Sequence, residues 1–370
     1  MEFVNKTNFD AGWTAGFQPD GREFLLVAVK GTFLIPENAE EESELAETQV
    51  PLTEADEFTG EPGLSAPLYE TDYAHPKPYC DVLLNGSAHA RGGEPTTRVT
   101  VSLQVGSMQK SFGVVGDRVW DKLMLKVSPS LALKFVQMPI TYDCAYGGVD
   151  ASEDQPERQK TYVKNPIGVG YYPLTKPDKL IGKPLPNTEE IGHPVKTSTG
   201  KYKPMSLGPI GRNFAERIPY AGTYDQGWFD HRCPFFPKDF DYRYFQSSPA
   251  DQQIPYPQGG EEVVLKNLTP RGTSRFRLPK VSIPILGIPH SGKDRKHDAV
   301  LDTVLLEPDQ GRFMLTWRGS LPLKQNLFEM KQLLVGTMPH GWHRARKFPG
   351  KPYYANLAEL VEARMGTKGK

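Results

Sequence analysis

The stretch Val300-Leu-Asp-Thr-Val-Leu-Leu306, followed by Pro308-Asp-Gln-Gly311 and then Phe313, Leu315 and Trp317, decides the fold class. The first part is apolar and β-branched, the second is turn chemistry, and the third recurs at period 2, so the whole reads as a hairpin. Upstream, Val281, Ile283 and Ile285 alternate with Ser282 and Pro284. A proline has no donor for a ladder, which makes this segment an edge or irregular strand. A second strand group lies earlier. Phe24-Leu-Leu-Val-Ala-Val29 is a continuous apolar run, expected of a strand covered on both faces. Val99, Val101, Leu103 and Val105 alternate with Thr100, Ser102 and Gln104, as a strand with one wet face does. Phe112, Val114 and Val115 lead through Gly116-Asp117 to Val119 and Trp120, which reads as a tight hairpin.

Composition points the same way. The 370 residues include 35 Gly and 34 Pro, a density of punctuation that a helical bundle does not absorb. The expected fold is mainly β: two strand-rich antiparallel lobes, sandwich- or barrel-like, packed as one unit. Residues 1–150 form the first lobe and 205–323 the second. Between them, residues 151–204 hold 8 Pro and 5 Gly in a long excursion. Its tyrosines, Tyr162, Tyr171, Tyr172 and Tyr202, favour ordered wrapping over a free linker. Residues 324–370 read as a basic helical extension. Leu323, Leu327, Met330 and Leu334 recur at helical spacing before Gly336, and Tyr354, Leu357, Val361 and Met365 do so before Gly366.

Charge narrows the function classes. The 44 Lys and Arg balance 44 Asp and Glu, unlike the basic footprint of a nucleic-acid binder. The N-terminal residues carry no secretory pattern, and the longest apolar stretch, Phe24 to Val29, is too short for a membrane span. Cys80, Cys144 and Cys233 form neither a disulfide framework nor a zinc pattern, so the expected compartment is the cytoplasm. The charge is unevenly spread. Residues 36–72 contain 12 acidic and no basic residues, whereas residues 320–370 contain 9 basic and 3 acidic ones. Solvated segments explain this, as does a pair of patches that orient a partner.

Catalytic and metal templates do not assemble. His340 and His343 lack the glutamate and spacing of a helical zinc motif, and Pro339 and Gly341 are expected to break a helix there. His231 and Cys233 have no second ligand pair nearby, and Cys144 has no local nucleophile signature. No serine-hydrolase elbow, P-loop or dinucleotide fingerprint occurs. No cofactor or metal is expected. The most enzyme-like stretch is Pro237 to Gln253, where Asp239, Asp241 and Asp251 stand among Tyr242, Tyr244 and Phe245. Paired carboxylates among aromatics suit a sugar site. Equally, such aspartates cap turns while the rings anchor an irregular segment.

Further segments carry a resemblance. They are Asp56-Glu-Phe-Thr-Gly-Glu-Pro62, Asp81-Val-Leu-Leu-Asn-Gly86, Asn165-Pro-Ile-Gly-Val-Gly170, Leu185-Pro-Asn187 and Leu207-Gly-Pro-Ile210. Gly222-Thr-Tyr-Asp225 with Trp228, Asp239-Phe-Asp241 with Phe245-Gln246, and Asn267-Leu-Thr-Pro270 follow. Leu301-Asp-Thr-Val304, Glu307-Pro-Asp309 and Trp317-Arg318 complete the series. In this order the chain resembles a "domain of unknown function" family encoded in Gram-negative type VI secretion loci. The resemblance implies a non-enzymatic adaptor or chaperone that bridges an effector toxin to a VgrG-type spike protein or a PAAR-like tip. It carries no catalytic residues. Aromatic side chains are enriched in interface cores. The candidate partner-binding residues are therefore Tyr224, Trp228, Asp239, Asp241, Tyr244 and Phe245, with Leu327, Met330 and Leu334 in the extension. The rival function is a carbohydrate-active hydrolase or carbohydrate-binding protein using residues 237–253. The extension itself is either a clasp on the β body or an amphipathic element that lies in a partner's groove. Oligomeric state is open.

Overall fold

The computed structural model describes residues 1–366 apart from 19, 39–40, 124–125, 349, 351 and 355–356. Residues 367–370 of the expected extension lie outside the described residues. Among the described residues, fifteen strands build three main sheets. In chain order they begin with β1 (Glu2–Asn5), β2 (Asp10–Phe17), β3 (Glu23–Leu34), β4 (Cys80–Leu84), β5 (Arg98–Val105) and β6 (Met108–Val115). Next come β7 (Thr188–Glu189), β8 (Gln253–Ile254), β9 (Glu262–Lys266) and β10 (Thr273–Arg277). The last are β11 (Pro284–Pro289), β12 (Arg295–Asp298), β13 (Val300–Glu307), β14 (Arg312–Pro322) and β15 (Met330–Val335). Three helices matter below: α1 (Gln226–His231), α2 (His340–Lys347) and α3 (Leu357–Gly366).

The six-stranded sheet runs β8-β4-β13-β14-β3-β2, the five-stranded sheet β7-β6-β5-β9-β10, and the four-stranded sheet β1-β15-β11-β12. Within these sheets pairing is antiparallel except for β4 with β13 and β1 with β15. The hairpin read from residues 300–317 is present. Gly311, at φ +66°, closes its turn in the left-handed region that favours glycine. The hairpin inserts between β4 and β3, so both strand groups share one sheet. The β architecture is open: no sheet closes into a barrel among the described residues.

Alternation then sorts side chains onto two faces. Leu25, Val27 and Val29 of β3, Val82 and Leu84 of β4, Val304 and Leu306 of β13, and Phe313, Leu315 and Trp317 of β14 enter one apolar core. Val101, Leu103, Phe112, Val263 and Phe276 of the five-stranded sheet meet them there. The opposite face of the six-stranded sheet is buried too, but carries Lys30, Thr32, Asp81, Thr303, Thr316 and Arg318. The excursion is packed: Tyr162, Tyr171 and Tyr202 surround Tyr146 at ring distances of 5.1, 6.3 and 5.0 Å. It also supplies β7, which pairs with β6.

Four expectations are corrected. Residues 324–336 are not helical: a 3-10 turn at Leu327–Glu329 leads into strand β15. The buried run Met330, Leu333, Leu334 and Val335 is too short for periodicity to separate helix from strand, and β1 and β11 offer a ladder on each side. Secondly, the turn after β6 is not a hairpin. The hairpin lies one strand earlier, where Gly106, at φ +57°, joins Val105 to Met108, and Trp120 opens a separate strand paired with residues 126–129. Thirdly, the Pro284 segment, expected as an edge or irregular strand, is irregular but not an edge. It is the interior strand β11, with Pro284 at its first position, where proline is tolerated, and the register slip at Ile288/Pro289. Fourthly, Pro339 does not prevent a helix: it stands as the N-cap of α2, outside the helical ladder. The expected terminal helix is present as α3.

If β15 is part of the body, Leu333→Ala loses about 2–5 kcal/mol of stability in urea titration, as for a fully buried leucine. Phe328→Ala, at a ring 85% exposed just before that strand, moves it by no more than about 0.5 kcal/mol.

Candidate interaction site

The buried polar face of the six-stranded sheet positions the rest. Between Leu301 and Thr303 the β13–β14 register slips by one residue, a bulge at Asp302. A bulge re-aims its side chain, and here Asp302 meets the Arg318 guanidinium. Arg318 also donates through Nε to the Asp72 carbonyl at 2.7 Å and faces the Asp72 carboxylate, which pairs with Lys30. Beside them Lys77 Nζ lies 2.6 Å from Asp81 Oδ2 and donates to Thr303 Oγ1 at 3.0 Å. Asp81 accepts further bonds from Gln246 Nε2 (2.7 Å), the Ser247 amide (2.8 Å), and the Ser248 amide and hydroxyl (3.1 and 2.6 Å). Burial opposes the charge on Asp81, yet Lys77 and these donors hold its carboxyl below the usual range. Burial raises the Asp302 carboxyl against the pull of Arg318 and Lys77. Thus Asp81, Gln246, Asp302 and Arg318, from four of the quoted segments, are structural fasteners. For Asp81, Asp302 and Arg318 the signal in the sequence was a charge inside an apolar strand run.

Residues 246–248, fixed by Asp81, anchor the acidic-aromatic segment between two concavities. One is a polar cavity of about 530 Å³ that includes Lys110, Tyr142, Lys164, Glu216 and Asp251. Lys110 Nζ lies 3.1 Å from Asp251 Oδ1 and donates to Gln252 Oε1 at 2.7 Å. Burial pushes the Lys110 amine down, although Asp251 opposes this. The surrounding wall raises the Glu216 carboxyl, which Lys110 and Lys164 partly offset, although part of its side chain stays open to solvent. The other concavity is an apolar pocket of about 290 Å³ between β2, β3 and residues 234–236, with Phe17, Phe24, His75, Phe235, Phe236 and Phe245 in its wall.

The expected site residues divide accordingly. Tyr244 and Phe245 join an aromatic shelf in which Phe236 stacks on Phe240 at 4.1 Å and Phe240 meets Phe245 at 5.6 Å and Tyr244 at 5.9 Å. Tyr224, just before α1, and Trp228 within it form an edge-to-face pair at 4.8 Å, with Trp228 Nε1 donating to the Phe235 carbonyl at 2.8 Å. Asp225 caps that helix by accepting from the Trp228 amide at 2.8 Å. Asp239 accepts from the Thr223 amide and hydroxyl at 3.0 and 2.7 Å. Asp241 caps the turn Tyr242–Phe245 and binds Arg243. Both carboxylates are engaged in local structure, as turn aspartates are. Only Asp251 of the three lines the polar cavity. In the extension, Met330 and Leu334 are buried, and Leu327 packs against the same core as Met330. These three face the protein's own interior.

His75 carried no motif and was missed. Its ring lies 4.1 Å from that of Phe24, 4.6 Å from Tyr242 and 6.0 Å from Phe245, and among the described residues its Nε2 has no hydrogen-bond partner. Burial lowers its pKa from the ordinary 6.5 to about 4. Among the described residues no group of three His, Cys, Asp or Glu is placed to hold a metal, and no helix is long and apolar enough to cross a membrane.

Fold and site together define a layered β protein that presents an aromatic shelf between a polar cavity and an open sheet edge. The chain belongs to the family of uncharacterized proteins conserved in bacteria designated DUF2169, whose model matches residues 20–318. No curated protein and no solved structure matches it.

The His75 environment makes a signed prediction. The unfolded chain binds a proton near pH 6.5 and the folded chain only near 4, so stability falls as pH drops through this window. The loss attributable to His75 reaches up to about 3 kcal/mol. In His75→Phe, urea titrations between pH 7 and 4 lack this component, so wild type loses stability relative to the variant on acidification.

Proposed function

We propose that the chain is a non-catalytic accessory protein of type VI secretion. It binds an effector toxin in the cytoplasm and helps load it onto a VgrG-type spike or PAAR-like tip protein. The observation that carries this reading is the aromatic shelf of residues 220–245. It leaves Tyr224 54% and Phe229 63% exposed, while Asp239 and Asp241 are engaged in internal caps. Exposed aromatics next to arginine are the composition of interface hot spots, and Arg243 lies 4.3 Å over the Tyr220 ring. The acidic stretch at 36–72 and the basic end of the chain add complementary fields that steer a docking partner.

One feature favours the carbohydrate reading instead. Asp251 and Glu216 share a polar cavity with a buried lysine, and a pair of carboxyls in one cavity, one of them raised by burial, is the arrangement of glycoside chemistry. That reading uses Asp251 and Glu216, not Asp239 and Asp241.

Deletion of the gene lowers both the steady-state level and the secretion of the effector encoded beside it. A Tyr224→Ala/Phe229→Ala double variant, at two rings more than half exposed, keeps the wild-type melting temperature and loses effector co-purification at least tenfold. Unchanged effector level and secretion after deletion overturns the adaptor reading. Glycan turnover abolished by Glu216→Gln or Asp251→Asn establishes the other.

A further inference from the structure

We infer that the outer edge of β2, Asp10–Phe17, docks an extended segment of a partner polypeptide as a seventh strand of the main sheet, with apolar side chains entering the pocket beside Phe235 and Phe236. The inference rests on the proposed role in binding a polypeptide and specifies how one is held.

The edge is long and open. All eight residues of β2 pair with β3 without a register shift, and among the described residues no backbone group of β2 bonds to any other segment's backbone. In an antiparallel pair every second residue turns its N–H and C=O outward, so about four residues present ladder groups over roughly 27 Å. The Ala15 carbonyl takes the neighbouring Thr14 hydroxyl at 3.4 Å and the Phe17 backbone meets His75. No residue of β2 is fully buried, and Phe17 is 47% exposed.

The other edges are guarded. Exposed strands invite unwanted pairing, and proteins blunt them with charge, proline, bulges or brevity. β12 reads Arg295-Lys-His-Asp298, and β10 carries Arg275 and Arg277. β7 and β8 have two residues each, and β1 has four and begins with Glu2. From Ala11 to Phe17, β2 has no charge, no proline and no bulge. An unguarded edge beside an apolar pocket is the arrangement of strand addition, in which backbone bonds give affinity and pockets give specificity.

Pocket and charge define the occupant. At Gly16 the Phe24 ring lies only 2.4 Å from where a Cβ would stand, so the ring packs directly on the strand and lines the pocket there. At the other end of the strand, Gly12 abuts the Tyr73 hydroxyl, and the charges of Asp10 and Glu54 both act on that tyrosine. Asp10 accepts from the Leu52 amide at 2.6 Å, which draws the acidic segment alongside. The matching segment is therefore extended, apolar at alternate positions, and bears Lys or Arg at the end that lies by Asp10.

A random 12-residue peptide library displayed on phage and selected on the full chain tests this. The expected binders alternate apolar residues and carry a terminal basic residue. As fluorescein-labelled synthetic peptides they protect amides within 10–17 from hydrogen exchange, and N-methylation of alternate residues weakens them at least tenfold. Thr14→Pro and Ala15→Pro form a matched pair. The one whose N–H faces outward keeps the wild-type melting temperature and loses peptide binding at least tenfold, and the one whose N–H bonds β3 melts lower. Glu54→Lys weakens the basic peptides selectively. No binders, binders that leave 10–17 unprotected, or equal binding to the stably folded proline variant overturns the inference. So does concentration-dependent self-association that protects 10–17, because the occupant is then a second copy. If the Tyr224/Phe229 variant loses the effector while the stably folded proline variant retains it, the edge inference fails and the adaptor reading stands. If peptides bind the edge but gene deletion leaves the effector unaffected, the adaptor reading fails and the edge site stands.

Discussion

Six charged side chains sealed on one face of the main sheet constrain everything built around them. Lys30, Asp72, Lys77, Asp81, Asp302 and Arg318 are all buried, and each charge is met by an opposite charge or several donors. Removing one partner from such a network strands a charge in a low dielectric, at a cost of about 3–5 kcal/mol. The network therefore specifies more than it stabilises. It accepts only one register of the β13–β14 hairpin, the one that bulges at Asp302. It also accepts only one placement of residues 72–77 and 246–248, which close over the charges from distant parts of the chain.

The position of the shelf follows from that closure. Asp81 takes the amides of Ser247 and Ser248, so the preceding aromatic segment cannot sink into the core. It is held out between the polar cavity and the apolar pocket, with its rings packed on one another and on His75. A neutral His75 in this cluster links the shelf to the sheet through Phe24 of β3. Rings kept half exposed by a rigid support bind with little loss of conformational entropy, the condition for a hot-spot surface.

The strand content was legible because each strand obeys its own period. Phe24 to Val29, as an unbroken apolar run, and the hairpin ending at Trp317, by its alternation, declare themselves without their neighbours. Pairing was not legible. That β4 lies parallel to β13, some 220 residues later in the chain, depends on contacts that local pattern does not encode. Met330 to Val335 was misread because a short run with buried residues on both sides satisfies either period. The His340 helix was missed because a proline that breaks a helix from inside serves as its N-cap from outside.

The site was partly legible for a similar reason. Composition pointed to Tyr244 and Phe245, which do lie on the shelf, but could not separate an aspartate that caps a turn from one that faces a cavity. Asp239 and Asp251 look alike in sequence and differ only in what folds against them. The open edge of β2 was invisible, since edge status belongs to the sheet and not to the strand. The central claim is that Asp81 and its partners weld the shelf's anchor to the sheet as one cooperative unit. Native-state hydrogen exchange measures this directly. The Ser247 and Ser248 amides are predicted to exchange with the same opening free energy as those of Val82, Val304 and Leu315. Exchange of the two serines through a local opening several kcal/mol easier than that of the strands would contradict it.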